Sequence, residues 1–187
     1  MMLSKRILNL PNQLTILRIL LIPAFLVFIY FDRPFTNIIA TIIFVVASVT
    51  DFIDGHIARK YGIITDFGKI LDPVADKILV AACLISLMEL GRINGIVVII
   101  LLARDFAVGA LRDFSSSRGK IIPAGFSGKL KTVFQMIAVG FLTYKNELLG
   151  IDALFVGKVL MYVAVFISIY SGYEYFRKHL KISASDV

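Results

Sequence analysis

Apolar residues in this chain come in long runs. They show neither the alternation of a half-buried strand nor the narrow stripe of a soluble surface helix. Six runs approach the roughly 20 apolar residues that a bilayer-crossing helix needs. They cover residues 14–31, 35–59, 68–90, 94–114, 130–144 and 153–175. The fifth is the shortest and carries a polar side chain, Gln135. Two connections are short, Asp32-Arg33-Pro34 and Gly91-Arg92-Ile93, whereas residues 60–67 and 115–129 make longer ones. Longer loops are where function tends to gather. The pattern predicts an all-α integral membrane fold with six transmembrane helices, built as a single domain over residues 1–187.

Charge orients that bundle. Lys5, Arg6, Arg59, Lys60, Arg104, Arg112, Arg118, Lys129, Lys131 and Arg177 fall at one end, and Arg33, Arg92, Lys145 and Lys158 at the other. The excess of Lys and Arg marks the cytoplasmic side. A multi-pass protein of the cell (plasma) membrane, with both termini cytoplasmic, is therefore expected. Composition agrees: 58% of residues are hydrophobic and the mean hydropathy is +0.86. The net charge of +7 then faces anionic headgroups, and no nucleic-acid partner is expected. Lys5 and Arg6 precede an apolar stretch that is long enough to span and lacks a small-residue cleavage site, so it is read as a retained helix. The lone Cys83 sits in an apolar run, where it forms neither an internal disulfide nor a zinc pattern and reads as a packing residue.

Against this background the acidic residues stand out. Asp51 and Asp54 are spaced i, i+3, and Asp72 and Asp76 are spaced i, i+4, so each pair shares a helical face. The loop between them reverses the chain and brings the pairs together. An aspartate inside a membrane helix costs about 2.5–3.5 kcal/mol at the centre and less near the ends, and four facing carboxylates repel one another. Divalent cations remove the conflict, and an all-oxygen donor set suits Mg²⁺, Mn²⁺ or Ca²⁺ over zinc. Two such ions clamp a diphosphate well. Gly55 and Ala58 lack bulk and let a ligand approach the helix, and Arg59 supplies a planar phosphate donor. Helix capping explains any one of these aspartates but not the facing set.

The pattern D-x-x-D-G-x-x-A-R, eight residues, G-x-x-x-D-x-x-x-D resembles the signature of the CDP-alcohol phosphotransferase family. Asp51, Asp54, Gly55, Ala58, Arg59, Gly68, Asp72 and Asp76 fill its defining positions. The resemblance implies a six-helix membrane fold, a homodimer, and an active site on the cytoplasmic side. It also implies two divalent ions, Mg²⁺ or Mn²⁺, on Asp51, Asp54, Asp72 and Asp76, with Asp76 as general base. The start of the chain through Asn12, Thr15 and Arg18 to Pro23 is similar to the phosphatidylglycerophosphate synthase group of that family. So are the segments Arg104 to Arg112 and Gly128 to Thr132, although Asp105 stands where a glutamate is common. The implied substrates are CDP-diacylglycerol and sn-glycerol 3-phosphate, giving phosphatidylglycerophosphate and CMP.

The residues themselves support an anionic acceptor. Arg104 interrupts an apolar run and lies eight residues before Arg112, on the same helical face. With Arg112, Arg118 and Lys129 it forms a candidate site for the acceptor phosphate, although the positive-inside rule explains part of this set. Asn12 and Thr15 lie one turn apart and, with Gly55, Ala58, Arg59 and Gly68, are candidates to bind the CDP-lipid; capping explains Asn12 and Thr15 as well. Phosphatidylglycerol, inositol phosphate and serine are alternative acceptors. A cation transporter is the alternative from another class, but its carboxylates belong near the midplane of repeated halves.

Overall fold

The structure is a computed structural model. It describes the backbone of residues 10–61, 66–117, 125–148 and 150–184, and the side chains of 13–50, 53, 71–116, 125–147 and 150–177. Six helices run through these residues: α1 (Leu10–Tyr30), α2 (Pro34–Tyr61), α3 (Asp66–Glu89), α4 (Gly95–Ser117), α5 (Phe126–Tyr144) and α6 (Ala153–Ala184). Between α5 and α6, the two-residue strands β1 (Glu147–Leu148) and β2 (Ile151–Asp152) pair antiparallel, Glu147 opposite Asp152. Gly150 takes the left-handed φ of 79° that this tight reversal requires.

Each expected apolar run lies within one helix to within a residue, and each helix extends beyond its run at the polar end. The added turns are polar. Hydropathy stops where charge begins, whereas backbone hydrogen bonding continues into water. The 32 residues of α6 make a rod of about 48 Å at 1.5 Å per residue, against about 30 Å of hydrocarbon.

Buried residues follow the helical repeat: Ile22, Phe25 and Ile29 on α1, Ala40, Phe44 and Ala47 on α2, and Leu79, Cys83 and Leu87 on α3. The rings of Phe25 and Phe44 meet at 6.5 Å between centroids. Cys83 is fully buried in this core, as its apolar run suggests. The α5–α6 pair packs closest. A Cβ added at Gly157 would lie 2.8 Å from Leu142 Cγ and 3.0 Å from the Leu142 backbone nitrogen. Only a glycine permits that approach, the means by which membrane helices associate without a hydrophobic driving force.

The outside of the bundle is apolar. Leu20, Phe35, Ile96, Ile99, Phe155 and Phe166 are all more than 60% exposed. Hydroxyls within the helices turn back on their own backbone. Thr41 donates to the Asn37 carbonyl at 2.7 Å, Ser48 to Phe44 at 2.8 Å and Ser86 to Ala82 at 2.8 Å. This satisfies polar groups without water. Two helices, over Gln13–Tyr30 and Ala153–Arg177, are long and apolar enough to cross a membrane by length and composition.

The end of the bundle away from the signature is tied by Arg92, which is 2% exposed. Its guanidinium donates to the carbonyls of Leu142 and Thr143 at 2.6 and 2.9 Å, to Asp32 at 2.5 Å and to Asn37 at 3.0 Å. The two carbonyls are among those left without helical partners at the C-terminus of α5. Lys145 ends that helix with a left-handed φ of 61° and donates to Asp32 at 2.9 Å. One arginine thus joins the α1–α2 turn, the α3–α4 turn and the end of α5. In the sequence Arg92 reads only as one charge in a short loop. Glu89, at the same end, accepts a hydrogen bond from Tyr30.

Candidate active site

At the opposite end, α2 carries Asp51, Asp54, Gly55, Ala58 and Arg59 in its last turns, and α3 carries Gly68, Asp72 and Asp76. The side chains of Asn12, Asp51, Asp54, Ala58 and Arg59, the surroundings of Gly55 and Gly68, and Arg118 altogether, lie outside the described residues. Asp72 and Asp76 are described and half-buried. Asp72 accepts a hydrogen bond from the Thr15 hydroxyl of α1. Thr15 is fully buried, as is Arg18 one turn on. The contact orients one Asp72 oxygen, so the chain places Thr15 beside an expected metal ligand. Among the described residues no three His, Cys, Asp or Glu side chains converge. The described part of the expected ligand set is a pair of hard carboxylates one turn apart. That donor chemistry fits Mg²⁺ or Mn²⁺.

Beside Asp76 a cavity of about 300 Å³ opens between α3, α4, α5 and α6. Asp76, Arg104, Arg112 and Lys129 all line it. Among the described residues five cations, Lys77, Arg104, Arg112, Lys129 and Lys131, face three carboxylates, Asp76, Asp105 and Glu174. The surplus of two positive charges complements a phosphomonoester dianion.

These side chains are held in place. Lys131 is 2% exposed and donates to both Asp105 oxygens, at 2.6 and 2.5 Å. Arg104 donates from Nη1 to Asp105 at 3.2 Å and from Nη2 to Ser171 at 2.8 Å. Its Nε is buried and has no hydrogen-bond partner among the described residues. Arg104 is therefore fixed on two sides and keeps donors to spare. Gly172 accommodates its stem: a Cβ there would sit 3.3 Å from Arg104 Cγ. Lys77 lies over the Phe106 ring at 5.8 Å and against Gly109, where a Cβ would come within 2.7 Å of its ammonium. Ser127 donates to Glu174 at 2.9 Å. Arg112 and Lys129 are exposed at the mouth.

The α6 residues Ser171, Glu174 and Tyr175 also line the cavity and are absent from the candidates the sequence offers. Polar residues spaced i, i+3 in an otherwise apolar helix are the available signal. Gln135, the polar side chain within the fifth apolar run, lines the cavity.

Residues 8–170 match the sequence profile of the CDP-alcohol phosphatidyltransferase family. The chain belongs to that family. Members similar to it include the CDP-diacylglycerol–glycerol-3-phosphate 3-phosphatidyltransferase of Rickettsia bellii (strain RML369-C), 41% identical over 170 residues, covering 90% of this chain and 94% of the relative. The protein of the same name from Bacillus subtilis (strain 168) is 39% identical over 183 residues, covering 91% and 95%. That from Haemophilus influenzae (strain ATCC 51907 / DSM 11121 / KW20 / Rd) is 38% identical over 172 residues, covering 89% and 91%. This CDP-alcohol phosphatidyltransferase is thus an enzyme, all-helical, with membrane-capable apolar helices.

Proposed function

We propose that the enzyme transfers the phosphatidyl group of CDP-diacylglycerol to sn-glycerol 3-phosphate, giving phosphatidylglycerophosphate and CMP. The observation that carries the reading is the cationic cavity beside Asp76, in a chain whose similar relatives bear that activity in their names. Residues 1–187 act as one six-span domain, multi-pass in the plasma membrane, with both termini and the site cytoplasmic. The apolar exterior and the charge asymmetry support this topology. The family resemblance adds a homodimer.

Asp51, Asp54, Asp72 and Asp76 hold two divalent ions, Mg²⁺ or Mn²⁺; such ions neutralise diphosphate charge and stabilise the leaving oxygen. The Thr15 hydrogen bond fixes Asp72 for that role. Asn12, Thr15, Gly55, Ala58, Arg59 and Gly68 form the CDP-lipid side of the site, Arg59 binding through its guanidinium fork. Arg104, with Arg112, Arg118 and Lys129, binds the acceptor phosphate. Asp76 takes the proton of the C1 hydroxyl as that oxygen attacks the lipid-side phosphorus. The bond from that phosphorus to the bridging oxygen breaks, and CMP leaves with the bonding pair.

Arg104→Ala should raise the KM for glycerol 3-phosphate about 10- to 150-fold, the worth of one charge-assisted contact. The KM for CDP-diacylglycerol should stay nearly constant. Arg104→Lys should recover only part, because an ammonium offers no planar fork. Steady-state kinetics with each substrate varied in turn checks this. An unchanged acceptor KM in Arg104→Ala removes Arg104 from the phosphate site.

A further inference from the structure

Gln135 is the deepest polar side chain that α5 presents to the cavity. Gly128, Lys131 or Thr132, and Gln135 recur every three to four residues along the face of α5 that lines it. Ala138, Val139 and Leu142 continue beyond as buried apolar core. Gln135 therefore forms the polar floor, one turn deeper than Lys131. It is 2% exposed, and neither its amide nitrogen nor its amide oxygen meets a hydrogen-bond partner among the described residues. Leaving a buried polar group unsatisfied is costly, and such groups in native proteins call for an explanation. Two other buried polar side chains of the cavity differ: Lys131 is bound to Asp105 and Ser171 to Arg104.

The vacant groups define what they fit. A primary amide offers donors and an acceptor together. A phosphate oxygen only accepts and would leave Oε1 unmatched, and the phosphate already has cations for partners. An alcohol both donates and accepts. Of the two hydroxyls of glycerol 3-phosphate, the one at C1 gives up its proton during transfer and keeps none for Oε1. The hydroxyl at C2 stays intact throughout. We infer that Gln135 is a specificity-determining residue that reads the C2 hydroxyl of the acceptor from the floor of the cavity. This inference rests on the proposed acceptor.

The experiment compares glycerol 3-phosphate with 3-hydroxypropyl phosphate, which keeps the attacking hydroxyl and the phosphate but lacks the C2 hydroxyl. Wild-type enzyme should prefer glycerol 3-phosphate about 5- to 150-fold in kcat/KM, the range expected when a buried amide is left unmatched. Gln135→Leu should bring the preference to within about threefold by lowering kcat/KM for glycerol 3-phosphate alone. Its thermal stability should hold or rise, because an unpartnered buried amide is replaced by an apolar side chain. Gln135→Met, unbranched, is measured in parallel against any local repacking by leucine. A wild-type preference that persists in both variants overturns the inference, as does equal use of the two acceptors by wild type. Failure of the wild type to use glycerol 3-phosphate at all would instead overturn the acceptor reading.

Discussion

Asp76→Asn lowers kcat about 10²- to 10⁴-fold, the contribution expected of a positioned general base, while the protein inserts and melts as wild type does. Asparagine keeps the volume and the capacity to accept hydrogen bonds. It loses the negative charge and any means of taking a proton. Asp76 lines the cavity that also holds Arg104 and Lys129, so the proposed base stands beside residues proposed to hold the acceptor. Because Asp76 is also a proposed metal ligand, the rate is measured across Mg²⁺ and Mn²⁺ concentrations to saturation. A deficit that persists at saturating metal belongs to proton transfer. Retention of most of the wild-type rate at neutral pH assigns the proton to another group.

Arg92→Ala destabilises the fold by about 2–4 kcal/mol, the usual consequence of leaving buried hydrogen-bond acceptors without their donor. The substitution removes the shared donor of Asn37 and of two carbonyls at the end of α5, and leaves Asp32 with Lys145 as its cation. Thermal unfolding in detergent measures the loss. The KM values of the folded fraction should not move, because Arg92 lies at the opposite end from the cavity. The same cluster gives the wild type an acid limit. Burial alone raises the Asp32 pKa, but hydrogen bonds from Lys145, Arg92 and Asn37 outweigh it and hold the carboxyl below its ordinary value. Its contribution is complete above the unfolded value of about 3.9 and disappears as pH falls through the lower folded value. Stability should therefore drop below about pH 4, and Asp32→Asn should flatten that part of the profile. A melting temperature of Arg92→Ala equal to that of wild type contradicts the account of this end.

The helices were legible in the sequence because a bilayer demands long apolar runs. Their polar ends were not. The last turns of α6 look hydrophilic, yet they are helical; the turn from residue 126 to 129 looks hydrophilic too, yet it is helical and lines the cavity with Ser127, Gly128 and Lys129. The family was legible for a different reason: carboxylates at i, i+3 and i, i+4 beside apolar helices have few structural explanations and belong to its signature. The place of Arg104 on the cavity was legible because it breaks an apolar run. Arg92 was hidden because a short charged turn resembles any solvated loop, and only the three-dimensional crossing of three helix ends buries it. Asp105 departs from the glutamate common in the resembling group, yet it reaches both Lys131 and Arg104. A shorter carboxylate still serves this ion pair. The contribution of α6 is non-local, since Ser171 meets Arg104 across 67 positions of sequence. No periodicity reports such a contact.

The most direct test of the central claim supplies purified enzyme with CDP-diacylglycerol, divalent metal and one acceptor at a time, and follows CMP release and lipid product together. The account predicts CMP and phosphatidylglycerophosphate formed one for one with sn-glycerol 3-phosphate, and little product with phosphatidylglycerol, inositol phosphate or serine. Faster transfer to any of those three, or no transfer to glycerol 3-phosphate at saturating metal, would contradict it.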